Sequence, residues 1–375
     1  MTKIWIVSDL HADMPRNAWE WEKCNKVLQA KIDLIIVAGD IANDRELAYA
    51  WIVECYKRFG VTIVFVAGNH DYYNCIFHEV IPWWKARPLA LSGHLIVLEN
   101  EMFSFRDLDI LGCSLWTDLN KGTRGAVDAA HQLSDYRFIR ILDKDTNEIR
   151  KLRPLDTSLV SQQSYKWLMS QAELREKSRK VALDENALKL SFSSSSSQSS
   201  TVPLHEIPIS DNLISKVTEI NDNKVRSKSL TNGDELKVEI EVGEKPKEEL
   251  KEELKKELKE DVGSRKLMMV THHLPTYQSI DTKYQHYGYT NASFASHYDP
   301  VIKKLRLHTL VHGHSHSSKN YEYKWKDRAE CNENKSEDLY ESTMPAVLMS
   351  TTVICNPRGY AGENPEFDYN FVITI

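Results

Sequence analysis

Three short stretches of this chain end an apolar run in side chains that can hold a cation: Asp9-Leu10-His11, Gly39-Asp40 and Gly68-Asn69-His70-Asp71. Two more do so later, His272-His273 after Leu267–Thr271 and His312-Gly313-His314-Ser315-His316 after Thr309–Val311. Carboxylate, amide and imidazole groups suit hard or borderline divalent ions. A pair of such ions needs a carboxylate shared between them, and together they acidify a common water for hydrolysis. Asp40 lies in the middle of the set and is expected to bridge. A lone His after a strand is ordinarily a surface or hydrogen-bonded residue, and D-x-H or G-D alone is common by chance. Five such segments in order, each after an apolar run, are not.

The spacing says what must position them. His11 to Asp40 is 29 residues, and Asp40 to Asn69 is again 29. That is one strand plus one crossover helix, so the strands Ile4–Val7, Asp33–Ala38 and Val61–Ala67 should lie parallel with their C-terminal ends together. Between them, Trp21, Cys24, Val27 and Leu28 recur at helical spacing within Asn17–Ala30. Asn43 or Asp44 can cap a second helix that stops at Gly60. A helical or loop stretch comes next at Ile81–Arg87, then strands at Leu95–Glu99 and Leu108–Trp116 and a helix over Ser161–Glu176. After Leu267–Thr271 come a helix from Phe294 to Leu305 and strands at Thr309–Val311, Ala346–Cys355 and Phe371–Ile375. Alternating strands and helices of this kind make a layered α/β fold.

The chain has 375 residues, a net charge of −6 and 41% hydrophobic residues, slightly low for a globular domain. The dilution comes from one place. From about Lys177 the aromatics cease, a serine run extends to Ser200, and Lys247–Glu260 is almost wholly Lys, Glu and Leu. The serine run cannot bury enough apolar surface to offset its ordering entropy and is expected to be disordered. Leu250, Leu254 and Leu258 suggest a solvated helix, too short for a coiled coil. The expected division is therefore 1–176, a flexible insertion at 177–262, and 263–375, with the insertion a tether or a contact for a protein partner. The dispersed charge calls for no obligate nucleic acid, and no apolar run approaches the length of a membrane span. The six cysteines lack any C-x-x-C pair and there is no signal-peptide block, so a cytoplasmic protein with reduced thiols is expected.

The ordered set D-x-H, G-D, G-N-H-D, H and G-H-x-H resembles the calcineurin-like metallophosphoesterase superfamily, over residues 3–172 and 264–375. The resemblance implies a four-layer α/β/β/α sandwich holding two divalent metal ions, whether Mn, Fe or Zn. It places one ion on Asp9, His11, Asp40 and His316, and the other on Asp40, Asn69, His272 and His314. His272 is chosen over His273 because the family's ligand is the first residue past its strand. His70 matches the family's catalytic histidine that is not a ligand, with Asp71 or Asp9 to orient it. Leu115-Trp116-Thr117-Asp118, Asp135-Tyr136-Arg137 and Asn356-Pro357-Arg358-Gly359-Tyr360 look like a bacterial branch of small cytosolic phosphoesterases whose substrates are mostly unassigned.

The resemblance thereby implies hydrolysis of a phosphate mono- or diester of a small molecule or nucleotide, by a hydroxide shared between the metals, with His70 as proton donor. Arg137 and Arg358 are candidate phosphate clamps, although exposed arginines more often make surface pairs or turn contacts. Protein phosphatases of the superfamily carry a phosphate-gripping arginine four residues after the bridging aspartate. Here that place holds Asp44, with Arg45 one residue late, which speaks against that activity. A nuclease would need a basic groove, and none is evident near the motifs. A non-catalytic metal-binding scaffold acting through the insertion is the remaining alternative. His297 is a weak substrate-side candidate, His308 and His312 are expected to be structural, and Trp83, Trp84 and Trp116 should pack in or beside the core.

Overall fold

The computed structural model describes residues 1–192, 226–230, 237–241, 265–327 and 347–375, giving only the backbone course for 180–192, 327 and the two short segments. One unit comprises Met1–Glu176 with Arg265–Ile375, and Lys177–Ser264 forms a second. In the first unit, β1 (Lys3–Val7), β2 (Leu34–Val37), β3 (Thr62–Phe65), β4 (Leu95–Val97) and β15 (Val372–Thr374) form one sheet, ordered β15-β1-β2-β3-β4. Its first four strands are parallel and β15 is an antiparallel edge. A second sheet contains β5 (Glu101–Phe105), β6 (Leu108–Cys113), β11 (Lys266–Thr271), β12 (Thr309–Val311), β13 (Lys319–Asp327) and β14 (Val347–Cys355). Its order is β13-β14-β12-β11-β6-β5, with four parallel central strands and antiparallel edges. A small ribbon pairs β7 (Arg140–Leu142) with β8 (Ile149–Lys151). In the second unit β9 (Arg226–Leu230) pairs antiparallel with β10 (Lys237–Glu241).

Side-chain alternation along the strands builds the layers. Ile4, Ile6, Leu34 and Ile36 of the first sheet share one core with Ile110 and Val270 of the second. Trp5, Val7, Ile35 and Val37 face the other way, onto Trp51, Ile52 and Trp84 of flanking helices. On the far side, Leu111 and Met269 meet Leu168, Ala172 and Ile302. Each such side chain, fully buried, contributes about 1.5–3 kcal/mol. The result is the four-layer α/β/β/α sandwich.

Several boundaries differ from the sequence reading. The helix expected from Phe294 begins only at Asp299. Leu274 and Ala295 form a bridge before it, and Pro300 sits in the first turn. The stretch at Ile81–Arg87 is helical only to Lys85, as the end of a helix over Phe77–Lys85, and the helix around Ser161 begins at Pro154. Strands β5 and β13 have no counterpart in the sequence reading. Asp44, rather than Asn43, caps the helix Arg45–Phe59, accepting from Glu46 N and Leu47 N, and Gly60 ends it at φ +64. The serine run, the Leu250/Leu254/Leu258 stripe, Ala346 and Cys331 lie outside the described residues. The other five cysteines are free thiols. Among the described residues, no helix is long and apolar enough to cross a membrane.

The two ends of the first unit that flank Lys177–Ser264 are tied to one buried carboxylate. Arg175 Nη1 donates to Asp109 Oδ2 at 2.8 Å, and Arg265 Nε to Asp109 Oδ1 at 2.7 Å. Arg175 Nη2 also reaches Arg265 O at 3.1 Å. Replacing residues 180–262 with a short Gly/Ser linker is therefore expected to leave the unfolding midpoint of the first unit nearly unchanged. Asp109→Ala should instead cost about 1–3 kcal/mol in denaturant unfolding, because it takes the carboxylate from the buried Arg175 and the half-buried Arg265, which keep their carbonyl contacts. A collapse on deletion, or a silent Asp109→Ala, would contradict this role of the junction.

Candidate metal centre

The loops that leave β1, β2, β3, β11 and β12 converge on one rim. Their backbone is held in an unusual shape: Asp9, His11, Asp40, His314 and His316 all have left-handed φ, from +43 to +65. For non-glycine residues that conformation costs about 1–3 kcal/mol each and persists only where the surroundings enforce it. Here the loops enforce it on one another. Asp9 N donates to Gly39 O at 2.9 Å, His11 N to Asp40 O at 3.1 Å, and His314 N to the Asp9 carboxylate at 2.9 and 3.0 Å. Gly39, at φ +86, lies so close that a Cβ there would be 2.5 Å from His272 Nδ1 and 2.6 Å from Gly68 N. Only glycine fits.

Asp9, His11 and His316 bring one ligand atom each within 4.8 Å of one another, and so do Asp40, His272 and His314. Asp40 stands between the groups. Its Oδ2 is 3.3 Å from His272 Nε2 and 4.0 Å from His11 Nε2, yet it is buried and accepts no hydrogen bond. His11 Nε2 and His316 Nε2 face each other at 3.0 Å. Two of the ligand rings are anchored from behind, His272 Nδ1 on Ala38 O at 2.8 Å and His316 Nδ1 on Glu363 Oε2 at 2.7 Å. Asn69 Nδ2 donates to Asp135 Oδ1 at 2.8 Å, which turns its Oδ1 to within 3.0 Å of His272 Nε2. A buried carboxylate oxygen without a donor is costly, and a cation between these groups would satisfy it. Oxygen and imidazole donors backed by outer carboxylates and carbonyls fit divalent metal ions.

Protonation follows the same geometry. Burial opposes the charge on His272, but Asp40 outweighs it and lifts the imidazole to about 9. Burial likewise opposes that of His316, and hydrogen bonds to Asp9 and Glu363 raise it to about 10. His11 is lowered by burial to about 4, and His314 is driven well below the usual range by burial and by His273 and His272. His273 itself turns away, with Nδ1 3.1 Å from Ser114 O, and is in neither ligand group.

His70 lines the adjoining cavity of about 330 Å³. Its Nδ1 is 2.7 Å from Asn43 Oδ1, which leaves Nε2 on the cavity side, 3.5 Å from Tyr360 Oη. Asp71 does not orient it. The Asp71 carboxylate accepts from Asp40 N, Ile41 N and Gly68 N and so clasps two ligand loops together. Asp9 does not orient it either, being held by Ser8 Oγ and His314 N. Neither expected clamp lines the cavity. Arg358 donates to Asn17 O and Ala18 O, an ordinary turn contact, and Arg137 is exposed. Asp44 points to its helix and Arg45 lies over the Trp83 ring. His297 stacks on Tyr277 beside a separate cavity. His312 is buried on Gly313 O, His308 bonds Thr309, and Trp84 and Trp116 are core residues.

Three residues outside the expected set thus matter here: Asn43 behind His70, Asp135 behind Asn69, and Glu363 behind His316. Asp135 belongs to the Asp135-Tyr136-Arg137 stretch, where the arginine is the more obvious phosphate ligand. Asn43 carries only a helix-capping signal, and Glu363 carries none.

Residues 2–184 match the family model of calcineurin-like phosphoesterases. The match includes Asp9, His11, Asp40, Asn69 and His70 and ends before the three later histidines, and it supports placement in that superfamily. An uncharacterized protein of Acanthamoeba polyphaga mimivirus is 21% identical over 178 residues, which is 44% of this chain and 61% of that protein. The chain thus spans about three-fifths of the length of that relative. A crystal structure of a dimetal phosphatase from Danio rerio aligns with 94% of this chain and 86% of its own, at 10% identity and a TM-score of 0.38.

Proposed function

We propose that the chain is a dinuclear metal-dependent phosphoesterase acting on mono- or diesters of a small molecule or nucleotide. One observation carries the reading: the buried Asp40 Oδ2, which has no hydrogen-bond donor and stands between two imidazole-rich groups, 3.3 Å from His272 Nε2. Asp9, His11, Asp40 and His316 would hold one ion, and Asp40, Asn69, His272 and His314 the other. When bound, the ions would acidify a water molecule and offset the charge of the phosphoryl oxygens. In the net reaction a water oxygen bonds to phosphorus, the ester P–O bond breaks, and a proton passes to the leaving oxygen. His70 is placed to manage that proton, since Asn43 fixes its ring and its Nε2 faces the cavity. Among the described residues no Lys or Arg lines the cavity, so the nuclease alternative lacks its cationic groove.

The test is hydrolysis of 4-nitrophenyl mono- and diesters and a nucleotide panel by purified protein with Mn, Zn or Fe. Turnover that requires the metal and saturates with substrate is expected. Metal binding without turnover on any ester would favour the scaffold alternative. The outer carboxylates give a further prediction. Glu363→Gln and Asp135→Ala should each weaken Mn²⁺ binding about 10–100-fold, because they free a ligand to rotate. Direct metal titration reads this, and unchanged affinity would remove both from the supporting shell.

A further inference from the structure

The cavity beside the proposed metal centre is walled in part by aromatic rings. At the ligand cluster Tyr73, Tyr360 and Phe294 pack on His70, His316 and His314, with ring centroids 4.3, 4.9 and 4.9 Å apart, and Tyr284 and Tyr287 line the cavity beyond them. Tyr284 and Tyr287 come from a run of 3-10 turns over Thr282–Ser293, with ring centroids 5.6 Å apart. That run is pinned at both ends. Asp281 accepts from Lys283 N and pairs with Lys319 at 2.8 Å, while Asn291 Nδ2 donates to Tyr284 O at 3.0 Å. Tyr287 is half exposed, which leaves ring surface free for a ligand.

Charge on this wall is one-sided. Among the described residues the carboxylates that line the cavity, Asp40 apart, are Asp135 and Glu363, which back Asn69 and His316, and Asp281 farther out, each already paired within the protein. The two ammonium groups against the wall are already engaged and neither lines the cavity: Lys319 pairs with Asp281, and Lys283 lies over the Tyr284 ring. A phosphoryl group at the metals would therefore be neutralised. A second phosphate farther out would meet aromatic rings and an aspartate, with no cation to replace its water.

Building on the phosphoesterase reading, we propose that the site takes esters with one anionic phosphoryl group and a flat, uncharged aromatic substituent, and disfavours substrates with a second phosphate beyond it. Aromatic side chains give stacking energy without reading hydrogen bonds, so the selection is for a π-face rather than for one base.

Four diesters with the same 4-nitrophenolate leaving group test this on the Mn-loaded enzyme: ethyl, phenyl, thymidine 5′ and 3′-phosphothymidine 5′. The phenyl and thymidine esters should exceed the ethyl ester in kcat/KM by at least about fivefold. The added 3′-phosphate should lower kcat/KM by about tenfold or more against thymidine alone. Tyr287→Ala should bring the thymidine-to-ethyl ratio towards one. A readout without turnover is calorimetric binding of phenyl against ethyl methylphosphonate, with the phenyl compound at least about fivefold tighter. Equal rates for the ethyl and aromatic esters, or preference for the 3′-phosphorylated one, would overturn this inference and leave the phosphoesterase reading standing. No turnover of any of the four, nor of the 4-nitrophenyl monoester, would remove that reading, and this inference with it.

Discussion

Asp40→Asn is expected to abolish ester hydrolysis and to lower bound metal, whereas His70→Ala should abolish hydrolysis with the metal retained. Both side chains lie at one rim, so the contrast is a strict test of roles. Asp40 turns its Oδ2 towards both ligand groups, 3.3 Å from His272 Nε2, while Oδ1 accepts from His70 N at 2.8 Å. The asparagine keeps the shape and that backbone contact but removes the negative charge two dications would share. His70 is backed by Asn43 and stacks on Tyr73 with ring centroids 4.3 Å apart. Its loss should cost at least about 10²-fold in kcat, the usual contribution of a positioned acid or base. There is a competing geometry. His11, Asp40 and His70 also bring ligand atoms within 4.8 Å of one another. Metal analysis of the purified variants decides the matter. If His70→Ala strips metal while an Asp40→Asn protein keeps it, the two assignments are reversed and the proposed proton transfer through His70 fails.

How far the site can be read from the sequence depends on what each residue does. The ligand candidates are legible because a metal centre of this kind sits where parallel strands end, and apolar runs ending in Asp, Asn or His mark those ends. Equal spacing of His11, Asp40 and Asn69 reflects real neighbours, since β1, β2 and β3 are adjacent and parallel. Edge strands are harder. Tyr321, Tyr323 and Trp325 alternate along β13 and face the second core, but the intervening Asn, Glu and Lys residues disguise the pattern. In β5 the alternation of Phe103 and Phe105 is clear but short. The supporting residues are not legible. Glu363 reaches His316 from 47 positions away, and Asp135 reaches Asn69 from 66. Such contacts depend on how loops from distant strands meet, which no local pattern encodes. Arg358 misleads for the same reason, because its position beside the rim says nothing of the turn carbonyls that occupy it.

Loading the metal-free protein with Mn²⁺ near pH 7 should release close to two protons, and apparent affinity should climb steeply with pH. The four imidazoles of the cluster divide into two kinds. His11 and His314, lowered by burial, are already neutral and need lose nothing. His272 and His316, lifted against burial to about 9 and about 10 by Asp40, Asp9 and Glu363, carry protons at neutral pH. Each proposed ion must displace one of them, because a ligating nitrogen needs its lone pair. The sign is therefore fixed: protons and metal compete, and affinity rises with pH by up to about tenfold per unit for each ion until about pH 9–10, then levels off. The same ion pairs stabilise the metal-free fold below the ordinary histidine range, and that contribution is lost as pH rises through about 9 and 10. Calorimetric titrations at pH 7 in buffers of different ionisation enthalpy count the protons directly. A count near two supports one protonated ligand per ion. A count near zero would mean that His272 and His316 do not both ligate, and that their charge serves the protein alone.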